Sequence, residues 1–145
     1  LNALNISSIL EDKKADVHLF KTRYLHSNSI IKPSKGIFLA FINICQQSIL
    51  YKTSILKQYN FRTDLRIQAD YFWNLIHFNY INKKYHNKIM GVYDESCGIS
   101  KDKRIIDRKF LAEKTKVIIK EFSILVAFLE YGYRVLVKVK RTLIR

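Results

Sequence analysis

Several residue types are scarce in this 145-residue chain, and each scarcity excludes a class of protein. The chain has one Pro and four Gly, which are too few for a linker, a collagen-like segment or an all-β fold rich in tight turns. Two cysteines, Cys45 and Cys97, are too few for a disulfide scaffold, and no CxxC pair is present for zinc or redox chemistry. We therefore expect two free thiols in a reducing, cytoplasmic compartment.

Long apolar segments are also missing. The longest, residues 122–129, has about 8 residues, whereas a membrane-spanning helix needs about 20. The first 14 residues lack the basic start and apolar core of a signal peptide. The single Met is Met90 and the chain begins at Leu1, so we expect a piece of a longer protein or a processed product.

What the chain does contain is apolar and basic material. Hydrophobic residues make up 48% and aromatic residues 13% of the sequence, which excludes an intrinsically disordered chain. Lys and Arg number 26 against 12 Asp and Glu, a net charge of +14. Such an excess indicates a partner that is an anionic lipid, a nucleic acid or a phosphorylated substrate.

The order of helical and strand patterns predicts an α/β protein. Strands are expected at Asp16–Phe20, Ile44–Tyr51 and Lys84–Tyr93, with loops over residues 21–35 and 94–103. Residues 36–43 are apolar and fit either a helix or a strand. Helices are expected from Thr53 to Tyr59, from Asp70 over residues 71–82, and from Ile105 onward as one long helix, with Thr53 and Asp70 as N-caps.

The last helix is expected to form a distinct segment, residues 105–145, after a domain of residues 1–104. Mostly polar residues recur in it every three or four positions and predict a narrow polar stripe on a largely apolar helix. The stripe consists of Glu113, Lys116, Lys120, Ser123, Ala127, Glu130, Arg134, Lys138, Arg141 and Arg145. One interpretation packs the apolar side on the domain and leaves the charges in water. The other lays the basic end on an anionic membrane surface through Arg134, Lys138, Lys140, Arg141 and Arg145.

Most signatures of catalysis are absent. The four histidines do not have metal-ligand spacing, and the sequence has no GxxxxGK[ST], GxGxxG, GxSxG or DxD pattern. Taken alone, Asp70 is most simply a helix cap.

Four short motifs nevertheless follow one another in a familiar order: Gln46-Gln47-Ser48 with Tyr51, Tyr59-Asn60-Phe61, Ala69-Asp70-Tyr71 and Cys97-Gly98-Ile99-Ser100. This order resembles the second half of family 2 glycosyltransferases, which have the GT-A fold and include bacterial enzymes of surface polysaccharide assembly. The family has His at the position of Gln46 and Gly at those of Asn60 and Cys97. The resemblance spans about residues 16–120.

The resemblance implies a partial GT-A domain and a role for each matching residue. Asp70 corresponds to the general base of an inverting transfer, which takes the proton of an acceptor hydroxyl as that oxygen attacks the anomeric carbon. Gln47, Ala69, Gly98 and Ser100 correspond to substrate-binding positions. The donor is implied to be a nucleotide-sugar and the acceptor a glycan or a lipid-linked sugar, at the inner face of the cell membrane.

The resemblance also implies that a donor-binding half precedes the matched region. That half carries the DxD ligands of a divalent metal, Mg or Mn, so no metal ligand is expected in this chain, and the isolated chain is expected to be inactive.

The alternative is a basic nucleic-acid-binding module without catalytic activity, which the net charge and the many Tyr and Phe favour. Against it, the aromatic residues Phe72, Trp73, Phe78 and Tyr80 have the helical spacing typical of a core.

Overall fold

The protein is a mixed α/β structure built on a four-stranded sheet. The computed structural model describes residues 9, 11–65, 67–94, 96 and 108–143. The central strand β1, Val17–Tyr24, pairs antiparallel with β2, Ile30–Ile31, and with β3, Ile49–Tyr51. It pairs parallel with β4, Lys83–Tyr93. Because β4 accompanies β1 from Val17 to Tyr24, β2 and β3 share the other edge of β1.

The strands predicted at 16–20 and 84–93 are confirmed, but β1 continues to Tyr24, and the region predicted as a loop contains β2. The first four side chains of β1 are all buried, as expected of a strand covered on both faces. The prediction of a strand over Ile44–Tyr51 is wrong in its first half, because Gln46–Ser48 forms a 3₁₀ helix. Residues Gly36–Ala40, which fitted either structure, form another 3₁₀ helix.

Two short helices follow β3. Helix α1 is Thr53–Gln58 and helix α2 is Ala69–His77. Their N-cap positions are occupied by Lys52 and Gln68, so the prediction that Thr53 and Asp70 cap them is wrong. Helix α2 also ends five residues before the predicted 82, because β4 begins at Lys83.

The long C-terminal helix is instead two helices, α3 at Arg108–Glu121 and α4 at Ile124–Leu143. Ser123 separates them, and its Oγ accepts a hydrogen bond from the Val126 N–H (3.2 Å), as an N-cap side chain does. Lys114, nine residues before Ser123, donates a hydrogen bond to Glu130, seven residues after it, so the chain folds back and the two helices run antiparallel.

The helical pair shares its core with the sheet. One cluster of buried side chains includes Leu19 of β1 and Leu75 of α2 together with Phe110 and Ile118 of α3. The predicted boundary between residues 104 and 105 lies outside the described residues, and the hydrophobic core is continuous across it.

Helix α4 is turned opposite to its expected orientation. Glu130 of the polar stripe is 1% exposed, whereas Leu125, Phe128 and Leu136 on the apolar side are 65–70% exposed. The interpretation that the apolar side packs on the domain is therefore wrong for α4. Within the described residues, no helix has the length and apolar character needed to cross a membrane.

Candidate functional site

A cavity of about 410 Å³ opens beside the N-terminus of α2. Its wall is formed by the 3₁₀ helix at 46–48, the chain just before it and the first turn of α2. The polar residues that line it are Asn43, Cys45, Gln46, Gln47, Gln68, Asp70, Tyr24, Tyr71 and Tyr93. Ligand pockets in proteins typically enclose about 300–1,000 Å³, so the cavity is large enough for a sugar unit.

The structure brings together two of the predicted site residues. Asp70 and Gln47 line the same cavity although they come from different motifs. Ala69 does not line it and packs against the hydrophobic core. Gly98 and Ser100 lie outside the described residues. Cys45 has a free thiol, as predicted, and Cys97 is outside the described residues.

Asp70 is the second residue of α2, and its carboxylate is turned toward Asn43. The Nδ2 atom of Asn43 donates a hydrogen bond to Oδ2 of Asp70 (3.0 Å). Burial raises the pKa of Asp70 above its ordinary value, although the bond from Asn43 and the backbone N–H groups of Asp70 and Tyr71 oppose the shift. A carboxylate that protonates more readily than usual, in a cavity, is a candidate general base.

Hydrogen bonds to its neighbours determine how the half-buried Asn43 side chain is oriented. Its Oδ1 atom accepts hydrogen bonds from the Ile44 N–H (2.8 Å) and from Nδ2 of Asn74 (3.1 Å). Because both of these partners are donors, the Nδ2 atom of Asn43 must be the one that faces Asp70. Asn74 is fully buried, and its Oδ1 accepts a hydrogen bond from the Tyr51 hydroxyl (3.0 Å).

The other wall is fixed by contacts between the 3₁₀ helix and the sheet. The hydroxyl groups of Ser48 and Thr22 are buried and 2.6 Å apart. A Cβ atom at Gly91 of β4 would meet Ser48 Oγ and lie 3.1 Å from the carbonyl oxygen of Gln47. Because Gly91 has no Cβ atom, β4 can approach the turn that carries Gln47. The Gln47 side chain is held separately, since Cys45 Sγ donates a hydrogen bond to Gln47 Oε1 (3.0 Å).

The motifs around Tyr51, Tyr59 and Asp70 meet at Trp73, three residues beyond Asp70 in α2. Trp73 Nε1 donates a hydrogen bond to the Tyr59 carbonyl oxygen (2.6 Å). The ring of Trp73 lies 5.1 Å from that of Tyr51 and 5.7 Å from that of Phe61. These contacts hold α2, and Asp70 with it, against the preceding segment.

Sequence reasoning missed Asn43, Gln68, Tyr24 and Tyr93 in the cavity and Asn74 behind it. Nothing local distinguishes these residues from surface amides and tyrosines, because their contacts join distant parts of the chain. The one exception, and the one local signal, was Asn43, which is the only amide in the otherwise apolar stretch of residues 37–45.

The described residues contain no group of three or more His, Cys, Asp or Glu side chains that could hold a metal ion. They do not fit the divalent metal that the resemblance implies for the donor.

No protein-family model matches the chain, and no curated protein or solved structure matches it. The resemblance to family 2 glycosyltransferases depends on short motifs and their order. The geometry of the cavity is therefore the main basis for assigning a function.

Proposed function

We propose that this chain forms the acceptor side of an inverting GT-A glycosyltransferase, acting in bacterial surface polysaccharide synthesis. The enzyme would transfer a sugar from a nucleotide-sugar to a glycan or a lipid-linked acceptor. One observation carries the proposal: Asp70 and Gln47, taken from separate motifs, line one cavity, and the half-buried amide of Asn43 orients the Asp70 carboxylate.

Asp70 acts as the general base. Its carboxylate takes the proton from an acceptor hydroxyl while that oxygen forms a bond to the anomeric carbon, and the bond to the leaving diphosphate breaks. A positioned base typically accelerates such a step about 10²–10⁴-fold. Asn43 fixes the carboxylate orientation, and the raised pKa of Asp70 makes it a stronger acceptor than an exposed carboxylate.

The remaining lining residues suit a hydroxyl-rich acceptor. Gln46 and Gln47 each offer a donor and an acceptor, which is what sugar hydroxyl groups require. Tyr24 and Tyr93 have rings 5.4 Å apart at the same cavity and offer apolar surface together with a polar tip.

The nucleic-acid alternative needs aromatic side chains that bases can stack on. Phe72, Trp73 and Phe78 are buried in the core and are not available for stacking, whereas Tyr80 is exposed. The positive charge and scattered exposed aromatic side chains, such as Tyr80 and Phe38, are left to support that interpretation.

The first experiment measures saccharide binding to the 145-residue chain by a glycan array followed by NMR titration. We expect one class of oligosaccharide to shift the resonances of Gln47 and Asp70. Gln47→Ala should weaken this binding about tenfold, the effect of losing about one or two hydrogen bonds. Gln58→Ala, which alters an exposed amide on α1, is the matched control and should leave binding unchanged.

Two outcomes would count against the proposal. One is that no saccharide perturbs the cavity. The other is that nucleic acid binds tightly, with an affinity that falls steeply as salt increases, and shifts residues elsewhere.

A second experiment incubates the isolated chain with nucleotide-sugars, Mg²⁺ or Mn²⁺ and the bound oligosaccharide. We expect no transfer, because the chain has no DxD pair and its described residues offer no metal site. Transfer that Asp70→Asn abolishes would instead establish the activity and disprove the expectation that the chain alone is inactive.

A further inference from the structure

The outward side of α4 is apolar along most of the helix. At 3.6 residues per turn, its exposed aliphatic and phenylalanine side chains fall within about 140° of the circumference. They are Ile124, Leu125, Phe128, Leu129, Val135, Leu136, Val139 and Leu143, each at least 44% exposed. We call these residues the outer face; it is far larger than the scattered apolar residues of an ordinary protein surface.

Both edges of the outer face carry the same pair of residue types. Tyr131 and Lys138 border it on one side, and Tyr133 and Lys140 on the other. All four are exposed. Tyrosine is favoured where an apolar phase meets water, and lysine can extend its charged end toward the aqueous side.

The inner side of α4 holds the polar groups. Lys114 Nζ lies 2.7 Å from Glu130 Oε1, and Arg134 Nε lies 2.9 Å from Glu130 Oε2. Arg134 also donates a hydrogen bond to Thr115. These contacts fix the rotation of the helix and keep the outer face exposed. Arg134 is therefore turned toward α3, away from the surface on which it was predicted to act.

The apolar surface extends from α4 onto α3. A groove of about 190 Å³ between the helices is lined by Ile119, Ile124, Ala127 and Phe128, with Thr115 and Tyr131 at its margin. The exposed apolar area is thus wider than one helix.

We propose that the outer face of α4 lies flat on an anionic lipid bilayer, with its apolar side chains at the boundary between headgroups and acyl chains. Lys138 and Lys140 then lie level with the lipid phosphates. This is the geometry of an interfacial amphipathic helix. The proposal concerns a different surface from the cavity and stands independently of sugar transfer.

Charge favours lipid over a second copy of the chain. Glu130 is the only acidic residue of α4, and it is buried, so the outer face offers no negative charge to the lysines of another copy. Residues 101–145 contain 13 Lys and Arg against 5 Asp and Glu. Anionic headgroups complement this excess, whereas two outer faces would bring like charges together.

The test is co-sedimentation of the 145-residue chain with vesicles of phosphatidylcholine, with and without phosphatidylglycerol. We expect binding to the anionic vesicles and at least about tenfold weaker binding to the neutral ones. The variant F128Q/L136Q should weaken binding to both by at least about tenfold, because it removes two exposed apolar side chains from the outer face. The variant K138Q/K140Q should weaken binding to the anionic vesicles alone, by about 30-fold.

The matched control is L25Q/V92Q, which removes two exposed apolar side chains, one directly after β1 and one on β4, and should bind like the wild type. All of these positions are exposed, so circular dichroism should show the fold retained in each variant. Equal binding by F128Q/L136Q and the wild type would overturn the proposal, as would equal binding to both vesicles. A dimer in sedimentation velocity that F128Q/L136Q dissociates, without vesicle binding, would assign the outer face to a second copy instead.

Discussion

The cavity beside Asp70 and the pair of helices α3 and α4 both depend on buried polar side chains, but these side chains differ in charge and in what they hold in place. At the cavity these groups are neutral amides, the buried Asn74 and the half-buried Asn43, and they form hydrogen bonds that lead to the Asp70 carboxylate. In the helical pair they are ions, with Lys114 5% and Glu130 1% exposed, and they are paired with each other.

The difference lies in what the buried groups leave accessible. Neutral amides can be buried at modest cost and can hold a carboxylate in one orientation at a cavity. Buried ions must be paired, so they determine which side of α4 packs against α3 and which side remains exposed.

The largest expected effect tests the ionic half of this comparison. Lys114→Met should lower the free energy of unfolding by about 3–5 kcal/mol, because it leaves the buried Glu130 with only the half-buried Arg134 as counter-charge. Urea denaturation measures the loss. Lys116→Met changes an exposed lysine of the same helix and should stay within about 0.5 kcal/mol of the wild type.

The double variant Lys114→Met with Glu130→Leu should be more stable than Lys114→Met alone, because no buried carboxylate is then left behind. If Lys114→Met costs no more than Lys116→Met, the ion pair does not determine the packing of α4.

The next prediction compares two glycines whose replacement by alanine should change the free energy of unfolding in opposite directions. Gly91→Ala should destabilise the fold by about 1–3 kcal/mol, because its Cβ would clash with Ser48 and with the backbone of Gln47 beside the cavity. Gly132→Ala lies within α4, where nothing is within 4 Å of the new Cβ, and should stabilise by about 0.5–1 kcal/mol. Thermal unfolding of both variants checks the pair, and a stabilising Gly91→Ala would contradict the close approach of β4 to the 46–48 turn.

The smallest effect concerns the way in which Asp70 makes the free energy of unfolding depend on pH. Burial raises the pKa of Asp70, so the folded state binds the proton more tightly than the unfolded state does. This contribution to stability is present below the unfolded pKa of about 3.9 and declines as pH rises through the folded pKa. At neutral pH, Asp70→Asn should therefore raise the free energy of unfolding by about 0.5–1 kcal/mol, and the gain should shrink as pH falls toward 4.

Asp64 provides a control, because its pKa is shifted in the opposite direction to that of Asp70. Its hydrogen bonds with Arg62 and Lys109 hold its pKa well below the usual range, so it stabilises the fold above the unfolded pKa and loses this effect as pH falls. Asp64→Asn should destabilise at neutral pH, with a difference from the wild type that also narrows in acid. Urea denaturation between neutral pH and pH 4 measures the free energy of unfolding of both variants. If Asp70→Asn destabilises the fold at neutral pH, as Asp64→Asn should, Asp70 is not held in a desolvating site.

The positions of most elements could be predicted from the sequence, because apolar periodicity and turn residues are local signals. Strands β1 and β4 and helices α1 and α2 are where the patterns indicated, within a few residues. The 3₁₀ helix at 46–48 was predicted as a strand because its geometry depends on the bond from Ser48 to Thr22, 26 residues away. The break at Ser123 was missed because one N-cap serine is hard to distinguish inside a continuous helical pattern.

The candidate site was predictable only in part. Asp70 and Gln47 were identified from motif order, and Asp70 was also read as a cap, whereas Gln68 occupies that position. No local sequence pattern identifies the role of Asn43 and Asn74. Their role arises from hydrogen bonds between residues that are 27 and 31 positions apart in the chain.

Local sequence patterns were enough to establish the α/β class, the basic charge of the C-terminal segment and the two-sided character of its last helix. Which side of that helix is buried depends on packing between residues that are distant in the chain. Periodicity defines two sides of a helix but not which of them packs inward. Here the rotation of α4 depends on Lys114, which lies on a different helix and has a counter-charge in Glu130 only after the chain reverses at Ser123.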